Sequence, residues 1–477
     1  MYYIGVDLGT SAVKLIMMEK DGTIVSSVSK EYPLYFPNPG WSEQNPEDWL
    51  SESISAVEEL TAGIDKSAVR AISFSGQMHG LVMLDKDDKP IRPAILWNDG
   101  RSEKQTAFLN NETGKEFLLE KTGNIAFAGF TAPKLLWVYE NEPENFAKAE
   151  RICLPKDYVA YMLSGVFATD TSDAAGTLYF DTANRCWSAE MLELLHINEN
   201  KLPKVFESSE AVGCLKKEYA EKLGLSQDVK IVIGAGDNAA SAIGTGTVND
   251  GDCNISLGTS GTVFVCSDKF NCDKENAIHA FCSANGKYHY LACTLTAASS
   301  QKWWIEDILK ADYGENIAAF EGRSDVLFLP YLMGERSPVN DTAVRGVFAG
   351  LSMNTKREEM TLAVLEGVAF SLKENIEIIK SLGVDISKSK ICGGGTRNKF
   401  WVKLCADILG IDIEIPEFEH GGVLGACILA AKGCGNDISD AFYAVKETVH
   451  PDKAMNEFYE KKYERYLKLY PLAKELK

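Results

Sequence analysis

What this sequence lacks removes whole classes of protein before any motif is read. None of its 12 cysteines falls in a C-x-x-C. A disulfide scaffold is out of place in a chain of 477 residues with 45% apolar side chains, so the thiols read as reduced and the expected compartment is the cytoplasm. There are only six histidines, and none forms an H-x-x-x-H or similar spacing, which argues against a zinc site. No apolar run approaches the roughly 18 residues of a membrane span, and Asp7 interrupts the N-terminus before a signal core could form. Positive charge is in deficit too: 49 Lys plus Arg stand against 68 Asp plus Glu, a net −19. Nucleic acids and anionic membranes are therefore disfavoured as partners. A polyphosphate could be accepted only where helix N-termini, a lysine or a metal ion rescue it locally. Neither G-x-x-x-x-G-K-[ST] nor G-x-G-x-x-G occurs, which removes the P-loop and weakens any nicotinamide oxidoreductase reading.

What is present alternates between strand and helix signals. Tyr2 to Val6 is a short apolar run entering Asp7-Leu8-Gly9-Thr10-Ser11, a buried strand followed by a glycine turn. Val13 to Met18, Asp21-Gly22 and Thr23 to Val28 read as a hairpin. Further strands are expected at Val69 to Phe74, Leu81 to Leu84 and Ile231 to Ile233, with helices at Pro46 to Leu60 and Ala132 to Glu140. This is α/β grammar. It restarts in the second half: Asp252 to Leu257, Gly258-Thr259-Ser260-Gly261, then Thr262 to Cys266. The shared Leu-Gly-Thr-Ser in matching strand contexts indicates an internal duplication with a boundary near Gly246 to Gly251.

Several segments could carry chemistry, each beside a plainer reading. The two Gly-Thr-Ser turns could cradle a polyphosphate with backbone N–H groups, Lys14 adding a cation and Asp7 serving a magnesium ion; each could also be a simple hairpin corner. Gly393-Gly394-Gly395-Thr396-Arg397-Asn398 stands between a strand and the helical Phe400 to Leu409, where a flat adenosine ring could lie, or where a tight βα turn is all that is needed. Asp237 follows a buried strand and small residues. It could take a proton from a substrate hydroxyl or cap the helix from Asn238. Ser75 to Gly80 and Trp97 to Arg101 mix donors, acceptors and aromatic surface, which suits a polyhydroxylated ligand.

Together these residues resemble the FGGY family of sugar kinases, within the larger group that shares a nucleotide fold with actin, hexokinase and the Hsp70 ATPase. The resemblance spans essentially the whole chain. Gly129-Phe130-Thr131-Ala132-Pro133-Lys134 through Asn141, and Gly346 to Leu351 followed by Glu359 to Glu366, look like the family's two long patterns. Trp41-Ser42-Glu43-Gln44, Gly76 to Gly80, Ile95 to Arg101, Leu154-Pro155-Lys156-Asp157-Tyr158, Ser172 to Thr177 and Leu329 to Arg336 resemble the members that act on a ketopentose. The resemblance implies an α/β fold of two actin/hexokinase-like (ribonuclease H-like) domains, related by duplication, with a cleft between them. Residues 1–246 would bind sugar and 247–477 nucleotide.

The implied activity is ATP-dependent, Mg²⁺-assisted phosphorylation of D-xylulose at its terminal hydroxyl. Another ketose or a polyol is the alternative acceptor, and a nucleotide-gated binding protein like actin or Hsp70 is the alternative class. By resemblance Asp237 is the base and Asp7 serves metal and phosphates. Gln77, Met78 and His79 would line the sugar, with Trp97, Asn98 and Asp99 beside it. Thr10, Ser11 and Lys14 would form one phosphate segment, Gly258 and Thr259 the other, and Gly394, Gly395 and Asn398 the adenosine segment. Glycerol kinases carry an Arg-Glu pair where this chain has Gln77-Met78-His79, so glycerol is a poor acceptor. Ala298 stands where those enzymes place a glycine, which leaves it outside the expected site. The implied partners are the sugar and ATP, with a homodimer left open.

Overall fold

The computed structural model describes residues 1–275, 278–312, 317–417 and 421–476. They fall into two compact units. The first comprises Met1–Val248, Ala280–Tyr288 and His420–Tyr443; the second comprises Asn249–His279, His289–Glu419 and Ala444–Lys477.

The first unit is built on six strands: β1 (Tyr2–Leu8), β2 (Ala12–Glu19), β3 (Ile24–Glu31), β4 (Val69–Gly76), β5 (Ala211–Cys214) and β6 (Lys230–Gly236). Their order is β5-β6-β4-β1-β2-β3. The first three form an antiparallel meander, turned at Asp21-Gly22 with Gly22 at φ +94° as an Asp-Gly hairpin requires. Strand β4 adds to β1 in parallel, β6 adds to β4 in parallel, and β5 closes the edge antiparallel to β6. The helix Pro46–Leu60 opens with proline and two acids, as the unpaired N–H groups and dipole of a helix start favour. It buries Trp49, Ile54, Val57 and Leu60 in one apolar cluster with Val13, Leu15 and Phe74.

The second unit repeats this plan. Strands β7 (Cys253–Leu257), β8 (Gly261–Ser267), β9 (Tyr288–Thr294), β10 (Lys388–Cys392), β11 (Asp412–Pro416) and β12 (Val445–Val449) run in the order β9-β8-β7-β10-β11-β12. Strand β8 is antiparallel to β7, β10 and β11 add in parallel, and β12 is an antiparallel edge. The first four strands of each unit take the same order, third-second-first-fourth. The last two differ, because the antiparallel edge strand precedes its parallel neighbour in the chain in the first unit (β5 before β6) and follows it in the second (β12 after β11). The duplication expected from the Leu-Gly-Thr-Ser echo is therefore carried by the four shared strands, and both echoes occupy the same turn.

The compact units are not contiguous halves, so a single cut at 246/247 does not describe them. The helix Gly421–Lys432 belongs to the first unit, where it packs on β1 and on the helix Asp237–Thr245. Its composition explains this, since GGVLGACILAAK offers small residues wherever backbones must nearly touch. A Cβ on Gly425 would stand 1.8 Å from the Ala240 carbonyl oxygen, and one on Gly5 would stand 2.4 Å from that of Val423. Gly425→Ala should therefore cost roughly 1–3 kcal/mol through forced backbone shifts. The check is the urea midpoint, and an unchanged midpoint would refute the close helix crossing. Among the described residues no helix is long and apolar enough to cross a membrane.

Candidate active site

In the first unit the parallel strands β1, β4 and β6 end level with one another: Leu8 lies opposite Gly76, and Gly76 opposite Gly236. The carboxyl ends of adjacent parallel strands are where open α/β sheets bind ligands, and this register brings Asp7, Gln77 and Asp237 to one edge. Asp237 is the first residue of the helix Asp237–Thr245, and the cap position falls on Gly236. Its Oδ1 accepts from the backbone N and the Nδ2 of Asn238 at 2.7 and 2.8 Å; Oδ2 receives no hydrogen bond from the described residues. Burial, then the negative charge of Asp7, push the Asp237 carboxyl up to about 7 against the pull of the Asn238 donors. Asp7 accepts from Ser75 Oγ at 2.7 Å. Burial raises its pKa as well, opposed by the Ser75 bond and by Lys14, its cross-strand partner. Two half-buried carboxylates thus share one edge and resist simultaneous ionisation.

Beside them, Met78 and His79 fit against glycines. A Cβ on Gly236 would lie 2.9 Å from Met78 Cγ, and one on Gly176 would lie 2.7 Å from His79 Cε1. His79 takes a left-handed φ of +69°, stacks on Phe130 at 4.6 Å, and donates from Nδ1 to the Gly176 carbonyl at 2.6 Å. A carbonyl can only accept, so the ring hydrogen is on Nδ1. Gln77 is buried and donates to Gln44 Oε1 at 2.9 Å.

Trp97 and Asn98 are exposed, and the indole Nε1 of Trp97 donates to Thr10 Oγ1 at 3.0 Å. This ties the Trp97 loop to the first glycine turn. Asp99, by contrast, is not brought to an open face. It is 2% exposed, and its oxygens accept from Arg101 N and Nε at 2.9 Å each, Arg101 Nη2 at 2.7 Å and Ser42 N at 2.6 Å. Its work is to hold Arg101, which lies 3.7 Å over the Trp41 ring. The expected role of Asp99 at the sugar gives way to a loop anchor, because an arginine two residues on satisfies it internally.

The turn Gly9-Thr10-Ser11 is anchored from behind: Tyr32 Oη donates to the Gly9 carbonyl and Gln44 Nε2 to the Thr10 carbonyl at 2.7 Å. Ser11 and Lys14 face solvent.

The second unit holds a cavity of about 910 Å³. Thr259, Gly394, Gly395 and Asn398 all line it. The two glycine turns meet there because they end the adjacent parallel strands β7 and β10. Gly393, at φ +96°, leaves no room for a Cβ, which would stand 2.7 Å from the Leu257 carbonyl carbon. Gly258 itself is outside the lining, and its carbonyl accepts from Ala298 N at 2.9 Å. Asn398 Oδ1 caps the helix Lys399–Leu409 by accepting from Trp401 N at 3.2 Å. Ala298, set aside in the sequence reading, is in the wall, as are Gln301, Ile317 and Phe400. These residues carry no glycine or acid signature that would have singled them out. A wall that combines Ile317 and Phe400 with the amides of Gln301 and Asn398 and the cations Lys302, Arg397 and Lys399 suits a flat heterocycle with polar edges that carries negative charge.

Glycine turns opening on such a cavity in one unit, and a carboxylate titrating near neutrality at a strand-to-helix corner in the other, are the equipment of a nucleotide-dependent phosphotransferase. The model of the N-terminal domain of the FGGY family of carbohydrate kinases matches residues 2–244, and that of its C-terminal domain matches residues 253–434. The chain belongs to the FGGY family of carbohydrate kinases, and it is an ATP-dependent sugar kinase. It is 39% identical to the xylulose kinase of Escherichia coli K12 over 435 residues, covering 90% of this chain and 89% of that one. Among solved structures it matches one described as a xyloylose kinase from Brucella ovis, with a TM-score of 0.94, 40% identity and full coverage of both chains. It also matches a gluconate kinase from Lactobacillus acidophilus, with a TM-score of 0.92 and 29% identity over 99% of this chain and 98% of that one.

Proposed function

We propose that this kinase transfers the γ-phosphoryl group of ATP to the terminal hydroxyl of D-xylulose, giving D-xylulose 5-phosphate and ADP. The observation that carries the reading is Asp237, whose unengaged Oδ2 and near-neutral pKa suit it to accept a hydroxyl proton. As the acceptor oxygen bonds to the γ-phosphorus, its proton passes to Asp237. The bond from that phosphorus to the bridging oxygen breaks, and ADP leaves with the electron pair. Little covalent assistance is needed, so positioning and charge stabilisation carry most of the rate. The first unit, broadly residues 1–246, would hold the acceptor through Met78, His79, Trp97 and Asn98. The second, broadly residues 247–477, would hold the nucleotide through Thr259, Gly394, Gly395 and Asn398. The xylulose kinase names of relatives support the acceptor. The gluconate kinase neighbour, with nearly the same fold score, makes another polyhydroxylated acceptor the second reading.

A magnesium ion fits the residues present. Among the described residues no group of three or more acidic, histidine or cysteine ligands converges, yet Mg²⁺ bound with phosphates needs only one or two carboxylates. Asp7 is such a carboxylate, half-buried and, among the described residues, compensated by Ser75 and Lys14. The ion would supply charge neutralisation on the phosphates, with Thr10, Ser11 and Lys14 beside it. Asp7→Ala should depress Mg-ATP-dependent turnover and change its magnesium dependence, while calorimetry still detects sugar binding without nucleotide. An unchanged magnesium dependence would remove Asp7 from this role. The activity itself is tested by coupled ADP release: D-xylulose should stimulate it well above the basal rate. If no sugar does so, the nucleotide-gated binding protein becomes the better reading.

A further inference from the structure

Lys134 sits on the helix Thr131–Asn141, within one of the two long family-like patterns, and has no part in the chemistry just described. Its side chain is fully buried. The Nζ donates to the carbonyl oxygens of His79 at 2.8 Å and Gly129 at 2.7 Å. Neither acceptor is a carboxylate, and burial holds the amine well below the ordinary lysine value. Burying such a group against neutral carbonyls is costly, and a helix this apolar could have carried methionine there instead.

What the lysine holds is unusual backbone. His79 is a non-glycine residue at φ +69°, a conformation that persists only where the surroundings over-determine it. Its carbonyl oxygen is gripped by two donors from one helix start, Lys134 Nζ and Thr131 Oγ1, the latter at 3.1 Å. The ring is fixed separately, by the Nδ1 bond to Gly176 O and the stack on Phe130. Backbone and ring are therefore set by different partners, and only the first set depends on Lys134.

We propose that Lys134 is a positioning residue for the acceptor site: its two bonds to backbone carbonyls hold His79 in the left-handed conformation and so fix where the imidazole meets the sugar. The inference rests on His79 being a sugar contact. A site held this way discriminates hydroxyls only while its own contacts stay within a fraction of an ångström.

The test is a double-mutant cycle on the whole chain, with folding checked by circular dichroism. Lys134→Met keeps length and removes the donors. It should lower kcat/KM for D-xylulose by about 10- to 100-fold, as misplacement of a contact does, mainly through KM, with KM for Mg-ATP unchanged. In a His79→Ala background the same substitution should have little further effect. If His79→Ala impairs sugar use but Lys134→Met does not, the positioning role is wrong and the sugar contact stands. If His79→Ala itself leaves sugar use unchanged, the contact reading fails and the proposal falls with it. An equal loss toward both substrates, or full additivity in the cycle, would mark Lys134 as a general scaffold residue and overturn the proposal. Should Lys134→Met not fold, Thr131→Val removes the second donor to the same carbonyl. It should raise the sugar KM in the same direction, while the ¹⁵N shifts of the His79 ring stay those of the Nδ1–H form. An unmoved sugar KM would overturn the proposal equally.

Discussion

Asp237→Asn should lower turnover by about 10²–10⁴-fold, the usual worth of a positioned general base, while sugar affinity changes far less. The asparagine amide is nearly isosteric with the carboxylate, and one of its termini can still meet Asn238, so the strand-to-helix corner should survive. What is lost is the capacity to take a proton. In the native protein that capacity carries a pH signature whose sign follows from the structure. The carboxyl is raised to about 7 by burial and by Asp7, so Asp237 is protonated and inactive as a base below that value. Above it, the group is ionised and competent. The kcat/KM for sugar should therefore fall tenfold per unit on the acid side of a limb near pH 7 and level off above it. Near-normal turnover in folded Asp237→Asn protein, or a limb at the ordinary carboxylate pKa, would refute the assignment.

Much of this arrangement was legible in the sequence because it rests on local signals. The Asp-Gly hairpin and the helix from Pro46 to Leu60 stand where periodicity and turn chemistry put them. The strands expected at Tyr2 to Val6, Val69 to Phe74 and Ile231 to Ile233 are present but run two or three residues further, to Leu8, Gly76 and Gly236, because pairing with neighbouring strands extends them into the small-residue segments. The paired Leu-Gly-Thr-Ser turns marked a duplication that the first four strands of the two orders share. What escaped depends on distant residues. Nothing local says that the helix Gly421–Lys432 returns to the first unit; Gly425 acquires its meaning against Ala240, and Gly422 against Ser75 and Asp7. Asp99 reads as an available carboxylate until Ser42, from another loop, and Arg101 consume its lone pairs. Ile317, Gln301 and Phe400 line the cavity as ordinary apolar and amide residues, a role that only the surrounding walls confer. Lys134 belongs to the same group: an amphipathic helix predicts its position, but not that it closes on the His79 carbonyl.

The acceptor should be D-xylulose, by a margin that depends on how completely its hydroxyls satisfy polar groups which are otherwise left unpaired. The groups available are few. Asp237 Oδ2 would take the reacting hydroxyl, the exposed Asn98 amide offers both donors and an acceptor, and the His79 ring is held in one tautomer by Gly176. Met78 adds an apolar wall packed on Gly236. Coupled ADP release should be compared across D-xylulose, D-ribulose, L-ribulose, L-xylulose, D-fructose, xylitol, ribitol, gluconate and glycerol at equal concentrations. A missing or inverted hydroxyl leaves one of these partners unmet and should cost roughly 10²-fold in kcat/KM, more than a misplaced methylene. Glycerol, with three carbons, offers fewer hydroxyls than a ketopentose to meet His79 and Asn98 as well as the base, so it should be the worst. Gluconate adds a carboxylate to an edge that already holds Asp7 and Asp237 in mutual repulsion, and the residues proposed to face the sugar, Met78, His79, Trp97 and Asn98, include no lysine or arginine to meet it. It should therefore rank well below the ketoses despite the shared fold. His79→Ala should compress the ratio between D-xylulose and its isomers by lowering the preferred substrate most. If ribulose or a polyol wins by tenfold or more, the kinase chemistry at Asp237 stands and the reading of the hydroxyl contacts at His79 and Asn98 must be redrawn around that acceptor.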